Sequence, residues 1–101
     1  MYIINYSKLF IDDFSEALIY IKETLKNEDA SNDLKINTYK EIQKLKQFPN
    51  TGIRLYKDSI ETKYRHVKVG NYYVFYYVKD LMIFIDRFIY SKREYIKLLN
   101  I

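Results

Sequence analysis

An α+β fold with helices and sheet in separate blocks follows from three features of the sequence. Residues 8–48 repeat apolar side chains at helical spacing. Residues 64–90 hold three aromatic and β-branched runs parted by short turns. A single run of the same kind, Tyr2–Tyr6, stands ahead of the helices. The expected order is β-α-α-β-β-β-α in one domain over residues 1–101.

Tyr2, Ile3, Ile4, Asn5 and Tyr6 read as a strand. Over residues 8–26, Phe10, Phe14, Ala17, Leu18, Ile21 and Leu25 form one stripe, with Asp12, Asp13, Glu16, Lys22, Glu23 and Lys26 on the other side. Ser7 suits the N-cap, and Asp12 and Asp13 lie near the positive end of the helix dipole. Asn27 caps a second helix, whose stripe is Ala30, Leu34, Thr38, Ile42, Leu45 and Phe48. Pro49 stops it, and Asn50-Thr51-Gly52 is turn chemistry. So short a junction folds the two helices back as an antiparallel hairpin.

Residues 53–62 lack a clear period and read as a loop. Tyr64–Val69, Tyr72–Val78 and Leu81–Tyr90 read as strands, with Gly70-Asn71 and Lys79-Asp80 as their two-residue turns. The first strand joins this antiparallel meander, because an isolated strand would leave its backbone unpaired, which gives a four-stranded sheet. Ser91 caps a short final helix through Leu99. The hairpin is expected to cover one sheet face and to leave the other, built from the basic and Tyr-rich half, open.

Charge sharpens that expectation. The net charge is +4, but residues 1–50 carry seven Lys and Arg against eight Asp and Glu, while residues 51–101 carry ten against five. A basic half attracts polyanions or an acidic protein partner. There is no cysteine, no CxxC, no HExxH and no Gly-rich phosphate loop, so no metal or nucleotide cofactor is expected. MYIINYSKLF has no basic stretch leading into an apolar one, and no run approaches a membrane span. A cytoplasmic protein with no membrane partner is expected.

Cleaving RNA without a metal takes a base for the 2′-OH, cations for the phosphate and an acid for the 5′-oxygen. The candidates for these tasks are Arg87, His66, Arg93 and Tyr90. His66 has the only side chain that titrates near neutrality, and it shares a strand face with Lys68. Arg65 points to the opposite face by the two-residue period, where an acid such as Asp86 would pair with it. Lys63, Arg65, Lys68 and Tyr73 are candidates for contact with a nucleic acid or another target, and the rings of Tyr72, Tyr73, Tyr76 and Tyr77 serve either as stacking platforms or as core.

Taken in order, Ala17-Leu18-x-x-Ile21, Ala30-x-x-x-Leu34, Ile42-x-x-Leu45-x-x-Phe48-Pro49-x-x-Gly52, the meander from Tyr64 to Val78 and the ending Ile85-Asp86-Arg87-Phe88-Ile89-Tyr90-Ser91-Lys92-Arg93-Glu94 resemble the RelE/ParE superfamily of toxins. The resemblance covers nearly the whole chain. It implies a type II toxin–antitoxin module in which a cognate antitoxin neutralises the toxin in a heterocomplex and supplies the contact with operator DNA. It also implies one of two targets: messenger RNA on the ribosome, cut by RelE-like members, or DNA gyrase, inhibited by ParE-like members. A degenerate member that only binds its antitoxin is the alternative. RelE-like nucleases carry an arginine at the place Tyr73 holds here. The segment from Arg87 to Glu94 is similar to the Arg-x-x-His-x-Arg-Arg-Asp ending of ParE-like toxins, with Tyr90 in the histidine's place.

Overall fold

Ser7 sets where β1 (Ile3–Tyr6) ends and α1 (Lys8–Ile19) begins in the computed structural model, which describes residues 1–101. Its hydroxyl accepts from the Phe10 N–H at 2.9 Å and donates to the Asp86 carbonyl at 2.7 Å, so one side chain caps the helix and ties it to the sheet. α1 runs on into a single π-helical turn, Tyr20–Thr24, and Lys26 breaks the run with φ 54°. The Asn27 side chain then accepts from the Ala30 N–H at 3.0 Å and starts α2 (Glu28–Leu45). The Ser31 hydroxyl donates to the Leu18 carbonyl at 2.9 Å, which clamps the hairpin. α2 stops three residues before Phe48, which is exposed rather than part of the stripe. Pro49 disfavours helical geometry at the residue before it, and the chain leaves the helix there.

The sheet has five strands in the order β1-β5-β4-β3-β2, with β2 Ile53–Lys57, β3 Ile60–Val69, β4 Tyr72–Lys79 and β5 Met82–Tyr90. β1 pairs parallel with β5, and the remaining pairs are antiparallel. The four expected strands are all present, and β2 adds a fifth at the edge where a loop was expected over residues 53–62. Asp58 and Ser59 both take positive φ (52° and 66°), the primed-turn geometry that lets β2 hairpin onto β3. The turn between β4 and β5 falls on Asp80-Leu81, one residue later than expected, with Asp80 the residue at positive φ. Ser91 is not a cap. Its N–H donates to the Asn71 carbonyl at 2.8 Å, and the last helix, α3, is only Tyr95–Leu98.

Both faces of the sheet are covered. α1 and α2 bury Phe10, Ala17, Leu34, Ile42 and Leu45 against Val69, Val74, Tyr76, Ile83, Ile85 and Phe88. On the other face Leu55, Tyr64, Phe75, Ile89 and Leu99 form a second cluster, flanked by Tyr95, Ile96, Leu98 and Ile101. The open face expected for the basic half is thus partly closed by the chain's own C-terminus. The reason is the apolar content of residues 95–101, which gains by leaving water. No helix is long and apolar enough to cross a membrane.

Tyr76 explains the Pro49-x-x-Gly52 turn. Its fully buried ring sends its hydroxyl into the turn, donating to the Pro49 carbonyl at 2.7 Å and accepting from the Gly52 N–H at 2.9 Å. A Cβ on Gly52 would lie 2.4 Å from that oxygen and 2.7 Å from a ring carbon, so only glycine lets the turn close over the ring. Gly52→Ala is therefore expected to destabilise the fold by about 1–3 kcal/mol, the usual cost of forced overpacking. A fall in the urea midpoint with an unchanged slope checks it, and an unchanged midpoint contradicts it.

Candidate functional site

Asp13 governs the region around the predicted site. β1 ends at Tyr6 opposite Ile85, so the second half of β5 has no strand partner on that side. α1 lies along this edge, and Asp13 faces it. Its carboxylate accepts from the Phe88 backbone N–H at 3.0 Å and takes a two-pronged bond from Arg87, Nε to Oδ2 at 2.7 Å and a terminal nitrogen to Oδ1 at 3.0 Å. The remaining terminal nitrogen of Arg87 donates to the Leu98 carbonyl at 2.8 Å. The two side chains are only 14% and 17% exposed. The bond to Asp13 raises the Arg87 pKa further above its ordinary value. Arg87 is thus already engaged, joining α1, β5 and the C-terminal segment.

A bulge in β5 arranges this. Phe75 pairs with Arg87 and Tyr76 with Ile85, leaving Asp86 as the extra residue. Asp86 does not pair with Arg65, as expected from the sequence; it accepts from the Tyr64 hydroxyl at 2.6 Å. Burial, followed by that bond, pushes the Tyr64 pKa well above the usual phenol range. Arg65 instead donates to the carbonyls of Asn50 (3.2 Å) and Gly52 (2.9 Å), bracing the turn that holds Tyr76.

The remaining candidates fall into separate groups. His66, Lys68 and Tyr73 come together on the face shared with α3. Lys68 is opposite Tyr73 in register, and the His66 and Tyr73 rings lie 4.7 Å apart. His66 is half-buried, its Nδ1 is enclosed without a partner, and burial lowers its pKa. Lys63 sits further along β3 with its ammonium 4.1 Å from the centroid of the Tyr77 ring. Tyr90 and Arg93 lie on the helix side, in a cleft with Tyr20 and Tyr72. Arg87 belongs to neither group. The basic excess is therefore divided: Arg54 pairs with Glu61, Arg87 with Asp13, while Lys63, Lys68 and Arg93 make no ion pair. The face expected to be open and cationic is partly covered by the C-terminal segment, and Arg54, Arg87 and Lys97 are held in ion pairs. No cluster of three or more His, Asp or Glu side chains comes together for a metal.

The helix hairpin carries an apolar groove of about 970 Å³, whose exposed apolar residues lie outside the stripes read from the sequence. It runs between α1 and α2 past Tyr6, Phe10, Ile11, Phe14, Ile36 and Tyr39. Ile11, Ile36 and Tyr39 are more than half exposed. The signal was there: Ile11, Ile36 and Tyr39 interrupt the polar side of each helical pattern.

This arrangement of hairpin and sheet recurs in solved structures. The chromosomal ParDE TA system from P. aeruginosa superposes with a TM-score of 0.74 at 14% identity, covering 91% of this chain and 98% of that one. YafQ from E. coli strain BL21(DE3) gives 0.55 at 19% identity, covering 90% and 94%. The chain has a RelE/ParE-like toxin fold. No family model matches it, and no curated protein does.

Two outcomes are expected. Asp13→Ala should cost about 3 kcal/mol or more, since it strands Arg87 in a mostly dry site, while Asp12→Ala leaves the unfolding midpoint nearly unchanged because only an exposed pair is lost. Equal midpoints for the two variants would contradict the clasp. The pH dependence follows from His66. Its folded pKa lies below the usual 6.5, so on acidification the unfolded chain takes up this proton first, and the contribution to stability is lost as pH falls through and below that value. Urea midpoints measured from about pH 7 to about pH 5.5 should fall less steeply in His66→Gln than in the parent; parallel curves would contradict it.

Proposed function

We propose that this chain is the growth-arresting toxin of a type II toxin–antitoxin pair and that it acts by binding a protein target, DNA gyrase as in ParE-like toxins. One observation carries the choice of a protein target. The guanidinium best suited to a phosphate, Arg87, is occupied by Asp13 and the Leu98 carbonyl, and the acid–base candidate His66 sits apart from Tyr90 and Arg93. The base, cation and acid needed for RNA cleavage are not gathered around one phosphate. A protein target asks instead for shape and exposed side chains, which the fold supplies.

The cognate antitoxin is expected to bury the groove between α1 and α2. Contiguous exposed apolar surface of this kind marks a protein contact, and Lys35 and Lys40 on the rim favour an acidic amphipathic segment. Contact with operator DNA then comes through the antitoxin. Ribosome-dependent mRNA cleavage is the second reading, favoured by the grouping of His66, Lys68 and Tyr73 beside one another.

Inducible expression followed in parallel by plasmid topology and RNA primer extension tests this. The expected result is growth arrest with loss of negative supercoiling, intact messenger RNA, and relief by the partner encoded beside the gene. New RNA ends that vanish in His66→Gln would establish the second reading instead. Normal growth at high expression of folded protein would overturn both and leave a degenerate antitoxin-binding member.

A further inference from the structure

The other flank of α1 holds a second cavity of different character. It is a cleft of about 770 Å³ between the first helix with its π turn and the far end of β4 and β5, within the size range of small-molecule sites. Its floor is apolar, with Ala17, Ile21 and Phe88. Its walls are the rings of Tyr20, Tyr72 and Tyr90. Tyr72 stacks on Phe88 at 4.8 Å with the planes 6° apart, and Tyr90 meets Tyr72 edge-on at 5.7 Å. Phe88 and Tyr72 are thus packed against each other, whereas Tyr20 is half exposed.

The polar groups of the cleft are unengaged. None of the three phenol hydroxyls makes a hydrogen bond within the chain, and neither does the Glu16 carboxylate or the Arg93 guanidinium. Asp13 and Asn27 are the exceptions, Asp13 occupied by Arg87 and Phe88 and the Asn27 oxygen by the Ala30 N–H. A hydrocarbon ligand would leave these donors and acceptors unmatched. A planar heteroaromatic ring with N–H groups on its edge and an anion attached satisfies them together: rings for stacking, a carboxylate to accept from the N–H edge, and an arginine fork for the anion.

We infer that this cleft binds a purine mononucleotide, with the base against Tyr20 and Tyr72, its N–H edge toward Glu16 and its phosphate on Arg93. The site is independent of the proposed toxin action. It lies on the opposite flank of α1 from the groove assigned to the antitoxin, so both can be occupied at once.

Titration of the intact protein with guanosine 5′-monophosphate, followed by NMR of the tyrosine ring signals, tests it, with guanosine and inorganic phosphate as separate probes. Saturable shifts of the Tyr20, Tyr72 and Tyr90 rings are expected. Arg93→Ala should weaken the nucleotide about tenfold or more and leave guanosine unchanged; Tyr20→Ala should weaken both about tenfold. Both positions are exposed, and circular dichroism confirms that the variants fold. No saturable binding at about 1 mM, the weak end of specific recognition, would overturn the site. Binding that ignores both variants, or equal affinity for nucleotide and nucleoside, would overturn it as well. None of these results depends on whether the protein arrests growth.

Discussion

The fold depends on how the open half of β5 is closed. Once β1 has turned into α1, the backbone of β5 beyond Asp86 faces no strand on the side away from β4, and the Phe88 N–H needs an acceptor in a place with little water. The Asp13 carboxylate meets that need and brings a charge that must itself be neutralised. Arg87, shifted by the bulge at Asp86, neutralises it. The pair fixes where α1 lies against the sheet. It also reaches the C-terminal segment through the Leu98 carbonyl. The groove on one flank of α1 and the cleft on the other both take their shape from that placement.

The tyrosines show a related division. Tyr76 and Tyr64 bury their rings and send their hydroxyls to the Pro49 carbonyl and to Asp86, so polar ends stitch loops and bulges to the core. Tyr73, Tyr77 and Tyr95 pack the second face around Phe75 and Phe84. Tyr20, Tyr72 and Tyr90 leave their hydroxyls unpaired in the cleft. One residue type thus acts in two ways, through its hydroxyl at Tyr64 and Tyr76 and through its ring alone at Tyr73, Tyr77 and Tyr95.

Elements that rest on local chemistry were legible in the sequence. Ser7 and Asn27 cap as their side chains predict, the helical stripes bury as their spacing predicts except at their last members, Leu25 and Phe48, which stay exposed, and Gly70-Asn71 turns the meander. Elements that rest on distant partners were not. β2 carries no alternation of its own and exists because β3 lies beside it, although the Asp58-Ser59 turn was a usable signal. The single-residue bulge at Asp86 cannot be seen without its partner strand, and it changes which side chains of β5 share a face. That is why Arg87 reads from the sequence as a free cation, and why Asp86 reads as a partner for Arg65 when it belongs to Tyr64.

The central claim is that Arg87 holds the fold together and does not act on a phosphate. Growth arrest by an Arg87 series (Lys, Gln and Met), each plotted against its folded fraction in the cell, tests this most directly. Toxicity that falls only as far as the folded fraction falls is the predicted result. An Arg87 variant as stable as the parent and yet silent would contradict it, because the guanidinium would then be needed by the target and not by the protein.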